Sequence, residues 1–149
     1  MRRWSKLQRE IYKIVAKNIN LQIHCVAYRM DSHCGSTDLP RYWITLDKEI
    51  IFDYPKRFLS DEGWKYVYEE HDNYPYMTDI PDITDLIKEY IDTPKDELLT
   101  KVFYSDNWGL VDILRAADRR IGIRRHTIFK NYANIAAQKV IKARFIASK

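Results

Sequence analysis

At 149 residues with 46% hydrophobic and 13% aromatic content, the chain is long and apolar enough to bury one domain-sized core, which excludes a disordered polypeptide. Four glycines and five prolines leave little room for a glycine-rich phosphate loop, and no apolar run approaches the ~20 residues of a membrane span. The formal charge of +4 conceals a segregation: residues 1–17 carry +5, residues 60–112 hold 4 lysines against 14 acids, and residues 119–149 hold nine cations and no acid.

Trp4, Leu7, Ile11, Ile14, Val15 and Asn18 recur at helical spacing, with Lys6, Arg9, Glu10, Lys13 and Lys17 opposite, so an amphipathic helix with a basic outer side is expected. Ser5 followed by Gln8 reads as its capping box. Leu21 to Met30 alternates instead, placing Leu21, Ile23, Cys25 and Ala27 on one side of a strand and His24, Val26, Tyr28 and Met30 on the other. A polar loop is expected over Asp31 to Pro40, then a hairpin of Tyr42–Leu46 and Ile50–Tyr54 around Asp47-Lys48-Glu49. Ser60-Asp61-Glu62 reads as a helix cap and acidic first turn before Trp64, Val67 and Tyr68, and Asn73 to Tyr76 as a turn.

Thr84 or Asp82 caps a helix over Leu86 to Ile91, and Thr93-Pro94 opens another through Leu98, Leu99 and Val102. Trp108 to Ile121 reads as a helix burying Leu110, Leu114, Ala117 and Ile121, with Gly122 as a left-handed stop or a close-packing point. The last segment puts Phe129, Tyr132, Ala133, Ala136 and Val140 on one stripe and Lys130, Lys139 and Lys142 outside it. The expected fold class is therefore α+β, a single domain over residues 1–149: an N-terminal helix on a three-stranded antiparallel sheet, followed by a helical C-terminal half.

Chemistry is sparse. His24-Cys25 and His33-Cys34 raise zinc, but neighbouring strand residues point to opposite sides and the two pairs are nine residues apart, so no metal is expected. Cys25 and Cys34 are too few for a disulfide framework, and with no secretory leader legible a cytoplasmic protein with reduced thiols is expected. His71-Asp72 reads as a solvated helix end, and His126 as one more titratable group outside any nucleophile motif. His24, Tyr28, Trp43 and Thr45 share one side of the sheet, as packing or as an aromatic-lined pocket.

Asp118 beside Arg115, Arg119 and Arg120 is either half of a guanidinium clamp or a brace for the turn. On a continuous helix Arg120 and Arg124 would stack at i, i+4, and with Arg119 and Arg125 they would suit phosphates. The cationic tail either faces solvent or folds onto the acidic middle of the chain, where its charge would cancel.

Trp4-Ser5-Lys6-Leu7, Ile23-His24 with Tyr28-Arg29, Trp43-Ile44-Thr45-Leu46-Asp47 and Asp118-Arg119-Arg120-Ile121-Gly122-Ile123-Arg124-Arg125 resemble the ordered motifs of a widespread, uncharacterised family of small bacterial proteins. The resemblance covers residues 4–54 and 108–125 and implies architecture rather than an activity, cofactor or catalytic residue. Two departures stand out: Ile123 where that pattern has Lys, and Phe129 to Lys149 as an extension past its usual end.

The function expected from these readings is that of a non-enzymatic protein-interaction module without a cofactor. It would meet an unidentified protein or a second copy of itself through the C-terminal helix. The alternative is a nucleic-acid-binding protein using Arg119, Arg120, Arg124 and Arg125, and the third an enzyme with a His24 and Asp118 site.

Overall fold

The periodicity at the N-terminus becomes helix α1, Trp4–Ile14, which buries Leu7 and Ile11. The structure, a computed structural model, describes residues 3–32, 35–54, 57–66, 83–106, 108–129 and 134–148, with backbone alone for 26–32, 35–41, 66 and 127–129. The capping box does not form: the N-cap is Arg3, without a side-chain cap, and Ser5 lies inside the helix. Gln8 instead donates through Nε2 to the Ile23 carbonyl (2.9 Å), while the Ile23 N–H donates to the Tyr12 hydroxyl (2.9 Å). Two α1 side chains thereby close backbone groups on the outer edge of the first strand, a position otherwise open to edge pairing.

The strands β1 (Leu21–Ser32), β2 (Gly35–Leu46), β3 (Glu49–Tyr54), β4 (Arg57–Ser60) and β5 (Gly63–Tyr66) form one antiparallel sheet in sequential order. The sheet has five strands, not the three expected. The residues expected as a loop, 31–40, continue β1 and β2, with 33–34 outside the described residues. At the β2–β3 turn Asp47 and Lys48 take φ of 50° and 72°, the left-handed pair that closes a two-residue hairpin even without glycine. A register shift between Ile44 and Thr45 accommodates one extra β3 residue, and Ile51 and Phe52 are both buried there.

The expected helix after Ser60 is instead the β4–β5 hairpin. Ser60 pairs with Gly63 across Asp61-Glu62, Ser60 Oγ donates to the Gly63 carbonyl (2.8 Å), and Gly63 sits at φ +103°. Serine followed by acids serves a tight turn as readily as a helix start. Val67 to Asp82, including His71, Asp72 and the Asn73–Tyr76 segment, lies outside the described residues.

Helix α2, Thr84–Ile91, starts at Ile83 without a side-chain cap; Thr84 is buried, and Asp82 lies outside the described residues. The helix expected after Pro94 shrinks to one 3₁₀ turn, Lys95–Glu97. Helix α3 runs Leu110–Ala117, and Asp106 closes its start by accepting from the Leu110 and Val111 N–H groups (both 3.0 Å). Helix α4 is Ile123–Phe129 and α5 is Ile135–Ala147, whose N-cap Asn134 accepts from the Ala137 N–H (2.8 Å).

Leu7 and Ile11 from α1, Ile23, Ile44 and Phe52 from the sheet, Ile87 from α2, Leu114 from α3 and Val140 from α5 belong to one continuous core. Helix α5 packs on α3 with Ala136, Ala137, Val140 and Ile141 buried, so its apolar side is covered within its own chain. No described helix is long and apolar enough to cross a membrane.

Candidate functional site

Asp118 ends α3 by turning extended (φ −72°, ψ 118°), and there the chain meets α1. Val15 and Asp118 form an antiparallel bridge, with the Ala16 N–H donating to the Ala117 carbonyl (2.7 Å) and the Arg119 N–H to the Ile14 carbonyl (2.6 Å). The turn at 118–122 breaks the helix that sequence periodicity carried through Ile121. Arg120 and Arg124 therefore sit on different elements and do not stack at i, i+4. Gly122 is neither a left-handed stop nor a close-packing point: its φ is not positive, and a Cβ there would meet nothing within 4 Å.

The Asp118 side chain is buried and fully engaged. Oδ1 accepts from the Arg120 N–H (2.9 Å) and Nε (3.0 Å), and Oδ2 from Arg120 Nη2 (2.8 Å) and the Tyr90 hydroxyl (2.7 Å). A charge withdrawn from water persists only when paired and hydrogen-bonded, and the guanidinium fork with the phenol meets both conditions. Burial, and then the Asp118 charge, push the Tyr90 phenol well above its ordinary pKa. The hydrogen bond to Asp118 raises Arg120 in turn. Arg119 is exposed, yet its Nε donates to the Lys13 carbonyl (2.6 Å), one of the last carbonyls of α1.

Beneath this turn lies a group the sequence reading did not single out. Arg144 on α5 is 6% exposed, and its Nη1 reaches the carbonyls of Ala116 (3.2 Å), Asp118 (3.0 Å) and Ile121 (3.1 Å) and Nε2 of His126 (3.0 Å). Those carbonyls belong to the C-terminal end of α3 and the turn after it, where a cation satisfies orphan acceptors and the helix dipole together. Arginine only donates, so Nε2 of His126 carries the lone pair, and His126 is neutral with its proton on Nδ1. Burial first, then the Arg144 charge, lower its pKa to about 4. The available signal was Arg144 at i+4 from Val140, on the apolar stripe rather than among the outward lysines.

His24 and Trp43 face away from the core on the sheet, stacked across strands at 5.0 Å with 14° between planes, and His24 Nε2 meets Thr45 Oγ1 at 3.2 Å. In register beside Trp43, the buried Asp53 accepts from Arg57 Nε (2.9 Å), and the Arg57 guanidinium lies 4.1 Å from the Trp64 ring. Tyr28 is on β1, with its side chain outside those described. Asp118 joins Tyr90 and Arg120, whereas His24 joins Trp43 and Thr45 on the sheet's outer side, so these two candidates fall in different layers. No group of three or more potential metal ligands occurs among the described residues, and His33 and Cys34 lie outside them.

The tail cations divide. Arg144 is buried and Arg120 is half-buried against Asp118; Arg124 is exposed and Arg125 half-buried on α4. Lys139 and Lys142 stand exposed on α5, and with Lys17 they rim a groove of about 630 Å³ between α5, residues 17–20 and the β2–β3 turn. Ile19, Leu46, Ala143 and Ile146 line it, and Asp47 adds an acid. Among the described residues, no ion pair joins the tail to residues 60–66, 83–106 or 108–112: Arg120 pairs with Asp118, and Lys139 reaches Glu49 at 3.9 Å. A second cavity of about 430 Å³, beside Phe58, Trp108 and Ile113, is apolar. Its neighbour Asn134 is engaged with the Gly109 carbonyl and the Ala137 N–H.

No curated protein matches the chain, and no solved structure does. A family model matches residues 3–145, which takes in α5 as far as Phe145 and places most of the tail within the family's span rather than in an extension beyond it. The chain that carries the Asp118-Arg119-Arg120 turn, the α1 edge contacts and α5 belongs to the SF0329 protein family.

Proposed function

We propose that this protein acts by binding, as a non-enzymatic interaction protein, and that its binding surface is the outward side of α5 rather than the Asp118-Arg119-Arg120 turn. One observation carries the reading. The acidic and guanidinium groups of the turn close helix ends and one another, while Lys139, Lys142 and Lys17 stand exposed around a groove of mixed lining, with Ile19, Ala143 and Ile146 beside Asp47 and two asparagines. Because the buried side of α5 is committed to α3, a partner or second copy would meet its outer stripe.

Light scattering of the full chain, with anisotropy of labelled polyglutamate at ~50 and ~500 mM salt, tests this, since exposed charge is screened at the higher salt. Self-association or binding that weakens with salt and disappears in the Lys139→Glu, Lys142→Glu double variant is expected. A monomer that binds no acidic probe at low salt removes the reading. The second reading, nucleic-acid binding, rests on Arg124 and Arg125 lying on α4 outside the Asp118 cluster. It requires labelled RNA to bind more tightly than polyglutamate and to be released in the Arg124→Ala, Arg125→Ala variant.

A further inference from the structure

The outer stripe of α5 repeats at helical spacing: Lys139, Lys142, Ala143 and Ile146 fall at i, i+3, i+4 and i+7 along one side. This stripe forms one wall of the groove, with Ile19 and Leu46 among the other lining residues and Lys17 on the rim. Ile146 is 61% exposed, whereas Ala136, Ala137, Val140 and Ile141 on the other side of the helix are buried. We propose that the groove binds an acidic amphipathic segment of a partner protein, seating apolar side chains against Ile146 and Ile19 and carboxylates on Lys17, Lys139 and Lys142. The inference rests on the interaction reading above and names the partner of the same surface.

Charge and apolarity together select this occupant. A polynucleotide backbone is held by cations alone and gains nothing from Ile146 and Ile19, whereas an amphipathic segment uses both cations and apolar side chains. A second copy fits less well: of the described acids of α2 and the segment after it, Asp92 and Glu89 already meet lysines of their own chain, Lys88 (3.1 Å) and Lys101 (3.4 Å). The Lys139 to Glu49 contact, at 3.9 Å between exposed groups, is of the weak surface kind and yields readily to a better-placed carboxylate.

The probe is a labelled helical peptide of about 15 residues, long enough to hold a helix, with Glu along one side and Leu along the other. An isomer of the same composition in scrambled order, polyglutamate and a single-stranded RNA serve as comparisons, read by anisotropy and by amide shift mapping on the full chain. Binding of the amphipathic peptide is expected to be at least about tenfold tighter than that of the scrambled isomer, the factor carried by ~1.4 kcal/mol. Shifts should centre on Ile19, Lys142 and Ile146. Ile146→Asp and the Lys139→Glu, Lys142→Glu variant should each weaken it by a similar factor, with unfolding midpoints unchanged because these side chains are exposed.

Equal binding of the scrambled peptide or polyglutamate, tighter binding of RNA, or shifts centred elsewhere would overturn the proposal. Salt-dependent association lost in the lysine variant but untouched by Ile146→Asp would discard the amphipathic occupant while leaving the interaction reading intact. Association absent from the light-scattering and polyglutamate measurements would discard that reading instead.

Discussion

Acidification should loosen the joint between α5 and α3, because His126 accepts from Arg144 only while neutral. The pKa of His126 is lowered to about 4 by burial and by the Arg144 charge, partly opposed by the Arg115 backbone and the Asp118 carboxylate. An unfolded histidine titrates near 6.5. Above pH 6.5 both states are neutral and the stabilising contribution is complete. As pH falls below that value the unfolded chain takes up the proton first, so stability declines until about pH 4, where the folded form is protonated too. The full gap corresponds to about 3 kcal/mol, of which about 2 kcal/mol is lost by pH 5. Urea unfolding of the wild type and of His126→Gln at pH 7.5, 6.0 and 5.0 separates this loss from other titrations common to both. The wild type should lose about 2 kcal/mol more than the variant over that interval. Parallel pH dependence of the two proteins, or an NMR titration placing His126 near 6.5 in the folded state, would refute the reasoning.

Other expectations concern the same joint and its surroundings. Asp118→Asn replaces an acceptor by a donor facing Arg120 or Tyr90, and should cost about 3 to 5 kcal/mol in chemical unfolding. Tyr90→Phe, which removes one hydrogen bond to the carboxylate, should cost about 1 to 2 kcal/mol. Arg144→Met strips the donor from three carbonyls and His126 and should lower stability by about 3 kcal/mol or more, with hydrogen exchange at the end of α3 accelerating before that of the sheet. Gly63→Ala and Gly109→Ala both force a side chain into the left-handed region, at φ +103° and +79°. Only at Gly109 would the new Cβ also collide with Asn134, so its variant should fall further in thermal unfolding than the ~1 kcal/mol expected at Gly63.

The Asp118-Arg119-Arg120 turn joins three helix ends. Its backbone bridges to Val15 after α1, Arg119 closes an α1 carbonyl, and Arg144 enters from α5 to hold the end of α3. Of the four arginines that look suited to phosphate when laid out linearly, Arg119 and Arg120 are thus occupied by the protein's own acceptors. Among the described residues, Arg124 on α4 and Lys139 and Lys142 on α5 are the exposed cations of the tail outside the turn. The contrast follows from the strength of donor-only guanidinium groups as caps for carbonyls that have no helical partner.

What the linear order determined is local. Periodicity fixed α1 through Leu7 and Ile11 and alternation fixed β1 at Leu21 and Ile23; the Asp47-Lys48 turn joined β2 to β3, and Val140 marked the buried side of the last helix. Repeats of two or 3.6 residues report which side of an element is apolar, and they survive wherever that element is long. The structure alone decided the shorter and polar features. Ser60-Asp61-Glu62 suits a cap and a turn alike, and pairing of Arg57–Ser60 with Gly63–Tyr66 resolved it as a hairpin. Asp118 and Arg120 are neighbours in the chain, but Tyr90 lies 28 residues from Asp118, and Arg144 lies 28 residues from the Ala116 carbonyl it holds. Spacing assigns a residue to a face, whereas the partner of a buried charge depends on which distant backbone end is brought against it, and only packing sets that.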